Sequence, residues 1–307
     1  MPIETTTTDS SPGVPVAMSE LTEIRARYPE RIAASWSARG RRDLLGPDGR
    51  LLVVAADHPA RNALGVRDQP MAMASRTDLL ERLVTALTRP GVDGVLGTPD
   101  ILDDLLLLGA LDGLVVVGSM NRGGLQGASF EFDDRFTAYR AQDIAGSGLD
   151  GGKMLTRICL EDSGTALTLE SSAAAVTELS ALGLMAMIEP FLSVRRDGRV
   201  LNLLDPDSTI RSIGIASALG ASSSHTWLKL PVVDDLPRVM ESTTLPTLLL
   251  GGDPHGDPLD TYASWEKALT LPAVRGLVVG RSLLFPPDDD VAAAVDIAAG
   301  LVHGSSR

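Results

Sequence analysis

Cysteine is almost missing from this 307-residue chain, where Cys159 is the only one. No internal disulfide can form, which excludes the disulfide-stapled class of small secreted folds and points to a reducing, cytoplasmic compartment. Aromatic residues are scarce, at 4% against 44% hydrophobic residues overall. The core must therefore be built from Ala, Val, Leu and Ile, a composition that suits packed parallel strands and helices. Positive charge is short as well: 27 Lys plus Arg face 40 Asp plus Glu, for a formal net charge of −13. That balance argues against nucleic acid and anionic membrane surfaces as partners, since both reward clustered positive charge. No apolar run reaches the roughly 18 residues of a membrane span, and residues 1–18 lack the basic and apolar parts of an export signal.

Lysine is the scarcest of the charged residues. Only Lys153, Lys229 and Lys267 occur, and arginine takes the solvated positions. A lysine inside an apolar stretch then needs a reason, and both Lys153 and Lys229 lie in one.

What is present is an alternation of short β-rich runs with segments of helical spacing, from Leu51 onward. Strands are predicted at 51–57, 94–97, 113–119, 153–161, 184–189, 226–232, 247–251 and 276–280. Helices are predicted at 76–87, 99–108, 135–145, 169–182, 208–219 and 289–302, with weaker ones at 236–241 and 258–269. Strands separated in this way favour a closed (β/α)8 TIM barrel over a doubly wound sheet, and no GxGxxG follows a strand to support a dinucleotide fold. Residues 1–18, rich in Thr, Ser and Pro, read as a flexible tail, and 19–307 as a single barrel domain. A helical extension over 19–42 is expected to cap the bottom of the barrel. Two long loops, 64–74 and 121–134, follow the first and third strands on the face where barrels gather their chemistry.

The polar residues that close apolar strands come first as site candidates: Asp57, Lys153, Glu189, Lys229 and Arg281. Strand alternation puts His225, Trp227 and Lys229 on one side. Burial of Lys229 would lower its pKa and free the amine to attack a carbonyl; the plainer reading is a lysine paired with a barrel carboxylate. Lys153 would be a second cation depressing that pKa, or else a solvated charge at the bottom rim. Asp57 and Glu189 offer a proton shuttle and a counter-charge, or simply salt bridges to Lys153 or Arg157. Gly251, Gly252, Gly280 and Arg281 end the last two strands, the usual place of a barrel phosphate site, although glycine there also serves ordinary turns. His58, His225 and His255 come from separate strand ends without metal-ligand spacing, so no metal is expected. Cys159 reads as a small core residue.

Together these segments resemble the barrel class I aldolases, especially the tagatose-bisphosphate type and its deoxyribose-phosphate and archaeal fructose-bisphosphate relatives. The likeness runs from Leu51 to Leu284 and rests on AADHPARNALG, GKMLTRICLED, MIEPFLSV, TWLKLPVV and the GG and GR motifs. The chain is still more similar to an actinobacterial barrel family described as deoxyribose-phosphate aldolases and found with inositol-catabolism genes. The resemblance implies an imine-forming Lys229, proton transfer by Glu189 and Asp57, and a Lys153 that tunes the amine and holds a hydroxyl. It also implies phosphate anchoring by the glycine loops with Arg281 and Arg157, and no cofactor. The implied partner is a small phosphorylated sugar or deoxy-keto acid, and the implied assembly a homo-oligomer. One departure stands out: His58-Pro59 replaces the Gln-Arg or His-Gly more usual after the aspartate. Two other readings stay open, a barrel isomerase or epimerase using Asp57 and Glu189, and a silent barrel that binds a sugar phosphate.

Overall fold

The computed structural model describes residues 13–121, 124–252 and 256–304. The chain enters through α1 (Leu21–Arg27) and α2 (Glu30–Ala38). It then runs β1 (Leu51–Ala55), α3 (Arg76–Leu87), β2 (Gly94–Gly97), α4 (Pro99–Leu107), β3 (Val115–Ser119), α5 (Ala141–Gly146), β4 (Gly151–Ile158) and α6 (Gly164–Ala181). Next come β5 (Met185–Arg196), β6 (Arg199–Asn202), α7 (Pro206–Ser217), β7 (Thr226–Leu230), α8 (Leu236–Met240), β8 (Thr247–Leu250), α9 (Pro258–Ala268), β9 (Val274–Val279), α10 (Arg281–Leu284) and α11 (Val291–His303).

All strands except β6 pair in parallel in the order β4-β3-β2-β1-β9-β8-β7-β5, and the β4–β5 pairing closes the ring. This is the expected (β/α)8 barrel. Strand alternation divides its core in two. Leu51, Val53, Ala55, Val115, Val117, Met185, Met187, Trp227, Leu248 and Val278 point into the barrel. Their neighbours Leu52, Val54, Val116, Ala186, Ile188, Leu228 and Val279 pack outward under the helices. Both sets are buried, and removing each such aliphatic side chain from water contributes about 1.5–3 kcal/mol.

The N-terminal extension differs from the single helix expected over 19–42. Tyr28 leaves helical geometry (φ −133°, ψ 48°) ahead of Pro29, which lacks the N–H that a continuing helix would need and restricts the residue before it. The non-helical stretch after α2 is what closes the barrel bottom. Arg39 donates to the carbonyls of Leu114 (2.8 Å) and Gly148 (2.7 Å). Arg42 pairs with Asp93 at 2.8 Å, and Leu44 packs against the inner core layer. Residues 1–12 of the expected tail lie outside the described residues; beyond them, Val16 is buried and donates its N–H to the Leu107 carbonyl at 2.9 Å.

The fifth barrel strand also differs. Instead of ending at Glu189 it continues to Arg196, turns at Asp197 and Gly198 (φ 49° and 74°), and returns antiparallel as β6. Two successive positive φ values are what a tight hairpin turn requires, and Asp-Gly supplies them. The hairpin rises from the end of the barrel that carries the polar strand termini.

Candidate functional site

Three of the four central candidates extend the inner layer of the core by one step, and the fourth, Lys153, enters from near the start of β4. Asp57 follows Leu51, Val53 and Ala55 in the same alternation; Glu189 follows Met185 and Met187; Lys229 follows Trp227. Each strand therefore stacks apolar side chains below and presents a charged group at the top. His225, expected on the same side as Lys229, lies before β7 begins and hydrogen-bonds Ser224 through Nδ1 at 3.0 Å, away from the other candidates.

These four groups touch one another. Lys153 Nζ lies 2.8 Å from Asp57 Oδ2 and 2.6 Å from Glu189 Oε2, and Lys229 Nζ lies 3.2 Å from Glu189 Oε1. All are buried, Lys153 at 1% exposure and Lys229 at 4%, so Lys153 is not a solvated rim charge. Above them opens a cavity of about 520 Å³ lined by Lys229, Glu189, His58, Arg61, Gly251, Gly252, Gly280 and Arg281, among others. Asp57 and Lys153 do not line it; they form the lower, covered layer of its floor. Both sequence readings thus hold together: the carboxylates form salt bridges, and they do so around an amine that faces a cavity.

Burial and charge set the protonation states. Burial pushes the Lys229 amine below the usual lysine range, and the Lys153 ammonium adds to this while Glu189 opposes it. For Lys153 the balance reverses: burial disfavours its charge, but Asp57 and Glu189 outweigh it and raise the pKa. Burial opposes ionisation of Glu189 too, yet the two lysines bring its pKa down to about 2. Asp57 is likewise held well below the carboxylate range by Lys153 and Lys229 against burial. The resting floor therefore holds two carboxylates, a fixed ammonium at Lys153 and a readily deprotonated amine at Lys229.

His58, next to Asp57, also faces the cavity. Its Nδ1 lies 3.9 Å from Asp57 Oδ1 and makes no hydrogen bond among the described residues. Burial, with Arg61, Arg281 and Lys229 adding and Asp57 opposing, depresses its pKa well below the usual histidine value, so the ring is neutral at pH 7. On the wall next to it Gly280 packs so closely that a Cβ there would collide with the Ala55 carbonyl and come within 2.7 Å of His58 Cε1, and farther along Gly252 adopts φ 68°. Arg281 Nη1 donates to the Gly65 carbonyl at 3.3 Å.

Arg157 is placed differently from the expectation. It pairs at 2.6 Å with Glu131, from the loop after β3, and does not line the cavity. Its strand alternation brings it to that loop, and the pair fixes the loop over β4. Cys159 is buried, and Thr165 Oγ1 accepts its backbone N–H at 3.0 Å. His255 lies outside the described residues, and among those described no group of three or more His, Cys, Asp or Glu could hold a metal ion.

Among the cavity residues that sequence reasoning missed are Thr261, Ser264 and Trp265 of α9, together with Arg61, Phe191, Asn202 and Leu204. The last three come from or adjoin the β5–β6 hairpin, whose signal was the Asp197-Gly198 pair between two alternating runs. Arg61 stands four positions after Asp57 in the quoted AADHPARNALG segment.

Residues 49–299 match the family described as Cgl0159-like. Cgl0159 from Corynebacterium glutamicum, a solved structure, is 59% identical, with a TM-score of 0.91 over 93% of this chain and 96% of that one. An archaeal fructose 1,6-bisphosphate aldolase shares 17% identity and a TM-score of 0.62 over 89% of this chain and 99% of its own. A Schiff-base-forming fructose-1,6-bisphosphate aldolase shares 19% identity and a TM-score of 0.62 over 88% and 99%. These two likenesses establish the shared fold. No curated protein matches the chain. With most of its length matched to the family and a close structural relative at high identity, the chain belongs to the Cgl0159-like family.

Proposed function

We propose that this protein is a class I aldolase, a lyase that breaks or forms a C–C bond in a phosphorylated sugar or deoxy-keto acid through an imine on Lys229. The observation that carries this reading is the Lys229 amine itself: buried, facing a cavity, with its pKa pushed below the usual lysine range, and 3.2 Å from a carboxylate able to take its proton. A salt-bridge lysine needs no cavity and no second lysine beside it.

In the cleavage direction the free amine adds to the substrate carbonyl carbon. One N–H proton passes by way of Glu189 to the carbonyl oxygen, giving a carbinolamine. A second proton, taken up from solvent through Glu189, goes to the departing hydroxyl, water leaves, and an iminium remains. A base then removes the proton of the hydroxyl β to the iminium carbon. The C–C bond breaks toward nitrogen, releasing an aldehyde and leaving an enamine that is protonated on carbon and hydrolysed from Lys229. Glu189 is the acceptor within reach of the amine, and Asp57 is tied to the same proton network through Lys153. Lys153 keeps the amine pKa low throughout. Backbone amides at Gly251, Gly252 and Gly280, with Arg281, hold the phosphate and so fix the carbonyl over the amine. The resemblance to a family found with inositol genes favours a deoxy-keto acid phosphate, acted on in the cytoplasm.

Borohydride reduction tests the reading. With substrate present, reduction will add the substrate-derived mass to the peptide bearing Lys229, inactivate the enzyme, and do neither in Lys229→Met. Turnover with Lys229 unmodified would overturn the assignment and favour an isomerase; ligand binding without turnover would favour a silent barrel.

A further inference from the structure

Among the described residues Arg61 is a cation in no ion pair, although its charge is felt by Asp57 and Glu189. It closes a single helical turn (Pro59–Arg61) after β1 and lines the cavity, its Nε is buried without a hydrogen-bond partner, and no ion pair joins it to any described residue. Many other arginines in this acid-rich chain find carboxylates, as Arg25, Arg41, Arg42, Arg82, Arg89 and Arg157 do, while Arg31 and Arg50 bond to backbone carbonyls. The carboxylates nearest the site are already matched: Asp57 by Lys153, and Glu189 by both lysines. Partial burial of an unpaired guanidinium is unfavourable, and a bound anion removes that penalty.

Its position is fixed from outside the cavity. The Arg61 carbonyl accepts the Gln126 N–H at 3.0 Å, and the Asn62 side chain donates to the Gln126 carbonyl at 3.2 Å, which ties this turn to the loop after β3. The glycine wall and Arg281 follow β8 and β9, and β9 pairs with β1 on the edge away from β2. The Arg61 turn is thus tied toward the loop after β3, while the glycine loops lie on the β9 side of β1.

We infer that Arg61 is a second anion anchor, so that the substrate carries an oxyanion group, carboxylate or phosphate, in addition to the phosphate held by the β8 and β9 loops. The inference rests on the aldolase reading for the place of the carbonyl, but its test does not.

Three ligands without a ketone or aldehyde, hence unable to form an imine, separate the two: glucitol 6-phosphate, glucitol 1,6-bisphosphate and 6-phosphogluconate. Calorimetric titration of the wild-type protein will show at least one doubly anionic ligand binding about ten- to a hundredfold more tightly than glucitol 6-phosphate, the effect of one charged contact. Whichever wins identifies phosphate or carboxylate. Arg61→Gln will erase that preference while leaving glucitol 6-phosphate affinity within about twofold of wild type, and Arg61→Lys will keep part of it. Equal wild-type affinity for all three ligands, no binding of any, or a preference that survives in Arg61→Gln overturns the inference. The wild-type comparison alone is decisive if a variant fails to fold. A preference for double anions with no borohydride adduct on Lys229 would sink the aldolase reading and leave Arg61 in place; an adduct without the preference would do the reverse.

Discussion

At the floor of the cavity two lysines share two carboxylates, and their unequal positions give them different states. Lys153 contacts both carboxylates and keeps its proton; Lys229 contacts one and gives its proton up more easily. Lys153→Met removes a charge that lowers the Lys229 pKa, leaving Asp57 and Glu189 to raise it. Attack needs the unprotonated amine, so the acid limb of the kcat/KM profile will move to higher pH, and activity at neutral pH will fall. The same substitution leaves buried Asp57 without its lysine while Glu189 keeps Lys229, costing about 3–5 kcal/mol of stability, readable by urea titration. Glu189→Gln works the other way on the amine, since it deletes a charge that raises the Lys229 pKa. Its acid limb will move to lower pH while kcat drops about 10²- to 10⁴-fold for want of a proton acceptor. Steady-state profiles of the two variants against wild type check both signs.

At the scale of elements, the glycine-ended strands matter as much as the charged ones. Gly280→Ala would push a Cβ against the Ala55 carbonyl and His58 ring, moving β9 off β1 or displacing His58. Overpacking of this kind costs about 1–3 kcal/mol; a raised KM for phosphorylated substrate, measured beside a thermal melt, will show that the loop geometry serves binding. The strands themselves were legible in the sequence because a parallel barrel strand is a short apolar run, and the site because Asp57, Glu189 and Lys229 each close one. Two kinds of feature were hidden. The break at Tyr28–Pro29 was overridden by amphipathic spacing that continues across it, although proline marked the stop. The β5–β6 hairpin follows a strand already complete at Glu189, so its alternating polar residues read as loop rather than as an extension. Arg61 was hidden for another reason: a missing partner is a three-dimensional fact, and no spacing encodes it.

Across the whole molecule the chemistry sits at one end of the barrel and a separate charge cluster secures the other. His303, near the end of α11, lies 2.5 Å from Asp48 and 3.1 Å from Asp93, and Asp93 also accepts the Leu52 N–H at the start of β1. The Asp93 hydrogen bond, against burial and with Asp48 adding, raises the His303 pKa to about 9 from an ordinary 6.5. A group raised on folding stabilises fully below its unfolded value and loses that contribution as pH climbs through the folded one. Stability will therefore decline between about pH 6.5 and 9, and His303→Gln will flatten that decline in melts taken across the range. Because the barrel's core and its reactive floor follow one alternation, they also share one phase. Deleting Leu228 would swing Lys229 from the cavity to the helix-covered side while the strand kept its hydrogen bonds. A scan of single-residue deletions will thus find the eight barrel strands locked and the Asp197–Gly198 turn permissive, drawing the outline of the candidate site from lost reading frame of side chains, without any substrate in hand.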